Sequence, residues 1–94
     1  MESFNFSNIT GTTTTLVSSG EGVLHNITIN KAVASSVVTI YDGLTAAAGT
    51  KIGTITLPGT LLRSQDTLTY DVTFKVGLTI VTASGASDIT VSYK

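Results

Sequence analysis

Apolar and polar residues alternate through most of the last third of the chain. In residues 68–74 an apolar side chain occupies every second position, and polar side chains lie between them. Alternation with period two places one set of side chains on each face of a β-strand, so residues 67–75 predict a half-buried strand. The same pattern returns in residues 78–82 and 89–93, which predict two more strands.

Short connectors that contain glycine separate these three strands. They are residues 75–77 and residues 84–87. Connectors of this length and composition are typical of β-hairpins. The pattern therefore predicts strand, tight turn, strand, tight turn, strand at the C-terminal end.

Three more strands are predicted upstream. They are Val23–Asn30 after a turn at residues 20–22, Ser36–Tyr41 before Asp42-Gly43, and Lys51–Leu57 before Pro58-Gly59. The alanine-rich residues 44–49 are too short for a stable helix, so we interpret them as a loop with at most one helical turn. Residues 60–66 are interpreted as a connector.

Alternation also assigns faces within the strand from Val23 to Asn30. It places Val23, His25, Ile27 and Ile29 on one face, and Leu24, Asn26, Thr28 and Asn30 on the other. His25 is the only histidine in the chain. We expect it to be hydrogen-bonded or interfacial, since a catalytic or metal-binding histidine needs partner groups at a suitable spacing.

The N-terminal residues 1–19 are the least regular part of the chain. Phe4, Phe6 and Ile9 are apolar residues in a segment dominated by Asn, Ser and Thr. Large apolar side chains on a short polar segment gain little unless something covers them. We predict that these three residues contact a partner; the alternative is that the segment is an edge strand whose side chains fill the domain's own core.

Counting strands gives seven or eight short segments punctuated by turns. This spacing is typical of an all-β fold, an antiparallel β-sandwich or a partly closed barrel. We assign residues 20–94 to the sandwich domain and residues 1–19 to an arm or edge strand. A single domain of 94 residues has a thin core, and with 0 Cys it has no disulfide to support it.

Charge and hydropathy exclude several classes of partner. The net charge is −1, and the five basic residues are dispersed, so no basic stripe favours nucleic acid. No apolar run reaches the roughly 18 residues that span a bilayer. The start at Met1 lacks the basic and apolar regions of a signal peptide, so we expect synthesis in a cytoplasm.

Candidate chemistry is sparse. Serine and threonine are abundant, but a nucleophilic hydroxyl needs an adjacent base that is itself oriented by a third group. Asp42, Asp66, Asp71 and Asp88 match no calcium-loop spacing, and turn or cap roles explain each of them. We therefore expect no enzymatic activity, no metal and no cofactor.

Several segments together resemble a known family. They are Gly22–Ile29, Val38–Gly43, Tyr70–Phe74, Gly77–Thr82 and Asp88–Tyr93. Over residues 20–94 the chain resembles the small β-sandwich domain of virion structural proteins of tailed bacteriophages.

The resemblance implies a structural role in a virion and carries over no active site. It implies a head decoration or cement protein that binds the major capsid protein across the joints of the shell, as a homo-oligomer and by analogy a trimer. The location implied is the capsid surface. The alternative is a receptor- or carbohydrate-binding module of a tail or fibre, which would use exposed aromatic side chains on loops.

Overall fold

A computed structural model describes residues 4–33, 35–57, 66–85 and 87–94 of the chain. These residues form eight β-strands and no helix. The strands are β1 (Asn5–Ile9), β2 (Thr14–Ser19), β3 (Gly22–Lys31), β4 (Val37–Asp42), β5 (Thr50–Thr56), β6 (Asp66–Phe74), β7 (Gly77–Ala83) and β8 (Asp88–Tyr93). The turn expected at Pro58-Gly59 and most of the connector expected at 60–66 lie outside the described residues.

The strands pair as if one long antiparallel hairpin had been rolled up. β1 pairs with β8, β2 with β7, β3 with β6 and β4 with β5. Pairings of β3 with β8 and of β4 with β7 complete two four-stranded sheets. Sheet 1 has the order β1-β8-β3-β6 and sheet 2 the order β2-β7-β4-β5.

This topology is that of a jelly roll, a β-sandwich of two antiparallel sheets. It confirms the all-β fold, and the two sheets do not close into a barrel. The principal extents are 35 × 34 × 17 Å, and the short one fits two sheets packed about 10 Å apart. The residues between β4 and β5 form turns and bends, which confirms the loop predicted for residues 44–49.

The C-terminal connectors are not hairpins. β6 and β8 belong to sheet 1 and β7 to sheet 2, so residues 75–76 and the segment after Ala83 pass from one sheet to the other. The prediction of paired neighbours was wrong here because a hairpin turn and a short cross-sheet link have similar lengths. Three extended steps reach about 10 Å, the distance between packed sheets. In the described part of the chain, only β4 and β5 are consecutive strands that pair with each other.

Inward-facing side chains of both sheets form a single core. Its buried members are Ile9, Leu24, Ile27, Ile29, Val38, Ile40, Leu57, Phe74, Leu78, Ile80, Ile89 and Val91. Leu68, Tyr70 and Val72 pack against this cluster together with Phe74, as the alternation in β6 predicts.

A β-bulge changes the faces of β3. Leu24 is buried together with Ile27 and Ile29, so two residues rather than one separate Leu24 from the next inward side chain. The register shifts between Leu24 and Asn26 against both β6 and β8. The prediction that His25 shares a face with Ile27 and Ile29 was therefore wrong, because one extra residue in a strand reverses the alternation beyond it.

Gly22 occupies a place where the sandwich leaves no room for a side chain. A Cβ there would lie 2.5 Å from the carbonyl oxygen of Lys94 and 2.6 Å from Cζ of Phe74. By contrast, a Cβ on Gly11 would meet no atom within 4 Å. The glycine at the start of β3 thus allows β3, β6 and the end of β8 to close together.

Candidate functional site

The N-terminal segment forms the edge strand of sheet 1 and exposes two aromatic rings. β1 runs beside β8, with Ile9 opposite Ile89 and Phe6 opposite Ser92. Ile9 faces inward and is only 4% exposed, whereas Phe6 is 73% exposed and Phe4 43% exposed. Strand alternation therefore separates Ile9 from the two phenylalanines.

Bulges in two neighbouring strands bring His25 and Asp71 together on the outer side of sheet 1. β3 carries one extra residue relative to β8, and β6 carries one extra residue relative to β3. Asp71 has φ +50°, a left-handed conformation that Asp adopts more readily than most residues. The His25 Nδ1 atom lies 2.5 Å from Asp71 Oδ1, within hydrogen-bonding distance.

Phe4 completes this cluster. Its ring stacks on the His25 imidazole with the ring centroids 4.3 Å apart and the planes 13° from parallel. The Lys94 ammonium lies 5.5 Å from the Phe4 ring centroid, a favourable cation–π distance. We call Phe4, Phe6, His25, Asp71 and Lys94 the N-terminal patch.

A hydrogen-bonded ladder of polar side chains borders the N-terminal patch on the same sheet. The Asp88 carboxylate accepts hydrogen bonds from Asn8 Nδ2 at 2.7 Å and from Asn30 Nδ2 at 3.1 Å. Asn30 also donates to Thr90 Oγ1 at 3.0 Å. The contacts hold these side chains in fixed positions beside β1.

A second exposed apolar set lies around the link between β6 and β7. Leu16, Leu44 and Val76 are each about half exposed. A Cβ placed on Gly77 would lie 3.0 Å from Leu44 Cδ2, and Val76 directly precedes Gly77. Leu16 lies opposite Thr79 in the β2–β7 pairing. We call Leu16, Leu44 and Val76 the turn patch.

Asp42 and Gly43 form hydrogen bonds that fix the place of the turn patch. The Asp42 carboxylate accepts the backbone N–H groups of Lys75 at 2.9 Å and Val76 at 2.8 Å. These bonds hold the pKa of Asp42 below its ordinary value of 3.8. Gly43 donates its N–H to the Gly77 carbonyl at 2.9 Å, so Asp42 and Gly43 together hold the link between β6 and β7.

The residues that the structure describes show no enclosed site for catalysis or ligand binding. They line no detected cavity, and they include no group of three His, Asp or Glu side chains that could hold a metal ion. The buried hydroxyls of Ser36 and Ser87 lie 2.7 Å apart, and Ser87 Oγ also accepts the Val33 N–H at 2.9 Å. That pair joins two loops. Burial raises the pKa of Tyr70, which packs against the core.

The predicted contact residues have thus been placed on two different faces. Phe4 and Phe6 lie together on the surface, where a partner could reach them, and Ile9 lies in the core, where the alternative of an edge strand puts it. The turn patch was not predicted, because its three members come together only through the topology. The partnership of His25 with Asp71 was also missed, since it depends on the paired bulges.

The tyrosines differ from the exposed loop aromatics that the alternative function would use. Tyr70 and Tyr93 pack against the core, and Tyr41 lies on β4. Within the described ranges, no helix is long and apolar enough to cross a membrane.

Comparison with known proteins gives little to add to this geometry. No protein-family model matches the chain, and no curated protein matches it in sequence. A structure of the infectious bursal disease virus Gt strain aligns with 97% of this chain and 31% of its own chain, at 15% identity and a TM-score of 0.38. The chain thus spans about a third of that neighbour's length, and a likeness this weak carries no argument about function.

Proposed function

We propose that the chain is a non-enzymatic virion structural protein that decorates a phage head and cements its shell. Its partner is the major capsid protein, and sister copies contact one another on the particle surface. In this proposal the protein is made in the host cytoplasm and adds to the assembled shell. The observation that carries the proposal is that the described residues expose two groups of large apolar side chains, Phe4 and Phe6 on sheet 1 and the three members of the turn patch.

A protein that holds a joint together needs two contact faces, one for each neighbour. The N-terminal patch lies on sheet 1, and the turn patch combines Leu16 of sheet 2 with two adjoining loops. The carbonyl groups of Val76 and Lys94 accept the N–H groups of Gly20 and Val23, so the two patches lie on either side of the turn at residues 20–22. Two shell subunits that meet at this end of the sandwich could each cover one patch, which supports a bridging role.

The energy available at each patch suits binding in many copies. Full burial of a large apolar side chain contributes about 1.5 to 3 kcal/mol, so covering the exposed part of Phe6 contributes roughly 2 kcal/mol. The three half-exposed members of the turn patch contribute roughly 3 kcal/mol together. Association costs about 4 kcal/mol or more, so one patch binds weakly and several contacts on a shell are needed.

Surface composition supports the same role. Charged residues make up 12% of the chain, about half the usual share. Thr and Ser side chains lose less rotamer entropy on being covered than Lys or Glu side chains do. A neutral surface of this kind loses little on being buried against a shell.

The experiment compares particles that have or lack this protein. Particles without it should assemble but release their genome at a lower temperature, and added wild-type protein should restore their heat resistance. Phe6→Lys and Leu44→Lys should each fail to restore it, because each replaces an exposed apolar side chain of a patch by a charged one. Thr54→Lys, at an exposed position of β5 outside both patches, is the matched control and should restore it.

A second candidate function is a glycan-binding module of a tail or fibre. It is favoured by the exposed Phe6 ring, which lies on the same strand face as Asn8 and its bond to Asp88, since aromatic rings and fixed amide groups suit sugars. If particles without the protein were equally heat-resistant yet failed to adsorb to host cells, this second function would replace cementing.

A further inference from the structure

The two sheets have four edge strands, and three of them carry features that hinder pairing with another chain. An edge strand presents unpaired backbone groups, which bulges and charged side chains protect. β6 has a bulge at Asp71, with φ +50°. β2 has a bulge between Leu16 and Ser18, and β5 has Lys51 next to a register shift.

β1 has none of these features. Its five residues pair with β8 in continuous register and include no charge, no proline and no glycine. No other described strand pairs with the outer edge of β1, which at about 3.4 Å per residue is roughly 17 Å long. The most exposed aromatic ring of the described chain, that of Phe6, stands on this strand.

We propose that β1 pairs with β1 of a second copy, antiparallel and across a twofold axis. An axis through Phe6 places Phe6 opposite Phe6 of the second copy and Asn5 opposite Ser7. Rings on directly opposite residues are close enough to contact, and no like charges meet because β1 is neutral. The two copies of sheet 1 then form one eight-stranded sheet.

A second copy fits this edge because β1 is complementary to itself. The same residues occur on both sides of the axis, so ring meets ring and amide meets hydroxyl. Identical surfaces related by a twofold axis close at two copies. The pairing therefore gives a dimer in place of the trimer that the family resemblance implies, and it goes beyond the shell-binding role by fixing a surface and a symmetry.

Sedimentation equilibrium of the purified chain, from micromolar to millimolar concentration, tests the pairing. The wild-type protein should approach the mass of a dimer as concentration rises. Phe6→Lys should remain a monomer, because two like charges would lie on directly opposite residues whose Cβ atoms are about 5 Å apart. Thr54→Lys, at an exposed position outside β1 and both patches, should dimerise as the wild type does.

Cross-linking provides a second readout that does not depend on a charge. The chain has 0 Cys, so a single introduced cysteine can form a disulfide only with another copy. Phe6→Cys should oxidise to a covalent dimer much more completely than Thr54→Cys, since cross-strand Cβ distances approach those of a disulfide.

Monomer at all concentrations, a trimer, or equal cross-linking of the two cysteine variants would each overturn the β1 pairing. Both measurements use free protein, and the Leu44→Lys variant of the heat-resistance test leaves β1 unchanged. Either proposal can therefore fail while the other holds.

Discussion

Replacing Ile9 by alanine should lower the free energy of unfolding far more than replacing Phe6 by alanine. Ile9 is 4% exposed and lies opposite Ile89 in the core, while Phe6, three residues away on the same strand, is 73% exposed. Comparing the two variants tests whether β1 belongs to the domain's own fold. It also distinguishes the two interpretations of the N-terminal segment, as a strand of the core or as a partner contact.

The expected size follows from burial. Truncating a buried Ile to Ala costs about 2 to 5 kcal/mol, and an edge strand can relax around the gap, so we expect roughly 2 to 3 kcal/mol. In a domain of this size each kcal/mol lowers Tm by about 4 to 8 °C, so Ile9→Ala should lower Tm by about 10 to 20 °C. Phe6→Ala should change stability by no more than about 0.5 kcal/mol, as surface substitutions usually do.

The assay is thermal unfolding followed by circular dichroism at low micromolar concentration, where pairing between copies adds little to Tm. Guanidinium unfolding of the same variants gives the free energies directly. If Ile9→Ala melted within a few degrees of the wild type, β1 would contribute little to the core, and the account of residues 5–9 as an edge strand would be wrong.

Three further predictions concern single residues. Asp42→Asn should make the free energy of unfolding depend less on pH in acid, as urea unfolding between pH 2 and 7 would show. The pKa of Asp42 is lowered in the folded protein, so its carboxylate stabilises the fold above the ordinary pKa. That stabilisation is lost as the pH falls through the folded-state pKa. Gly22→Ala should cost about 1 to 3 kcal/mol through overpacking, while Gly11→Ala should cost almost nothing in the same melts. Ser87→Ala should cost about 1 to 3 kcal/mol, because the Val33 N–H loses its buried acceptor, and amide exchange at Val33 should accelerate.

The strands from β3 onward could be predicted from the sequence because most of them bury one face; β7, which buries side chains on both faces, is the exception. In β6 and β8 the period of two is a local property, so Phe74 and Val91 were assigned correctly without knowledge of the neighbouring strands. Pairing partners are different. β1 lies beside β8 at the far end of the chain, and nothing in the residues near Phe6 encodes that partner.

The prediction of which β3 side chains face inward was wrong, because the sequence of β3 allows two assignments. Val23 and Leu24 are both apolar, so either could begin the inward set, and the bulge that selects Leu24 depends on β6 and β8. Once the bulge is known, the meeting of His25 and Asp71 follows. A pairwise feature of two strands cannot be inferred from one strand alone.

The candidate contact surface could be predicted in part from the sequence. Phe4 and Phe6 were conspicuous as rings in a polar segment, and strand parity alone would have set Ile9 on the opposite face. The turn patch could not be predicted from the sequence. Leu16, Leu44 and Val76 are far apart in the chain, and only the rolled topology brings them to one corner.

Imaging of the intact particle at near-residue resolution shows directly whether the protein cements the head. A cement protein should appear as an eight-stranded sandwich on the outer surface of the head, with the turn patch or the N-terminal patch against the major capsid protein. Finding the chain only at the tail, or on the shell with both patches open to solvent, would contradict the cementing role.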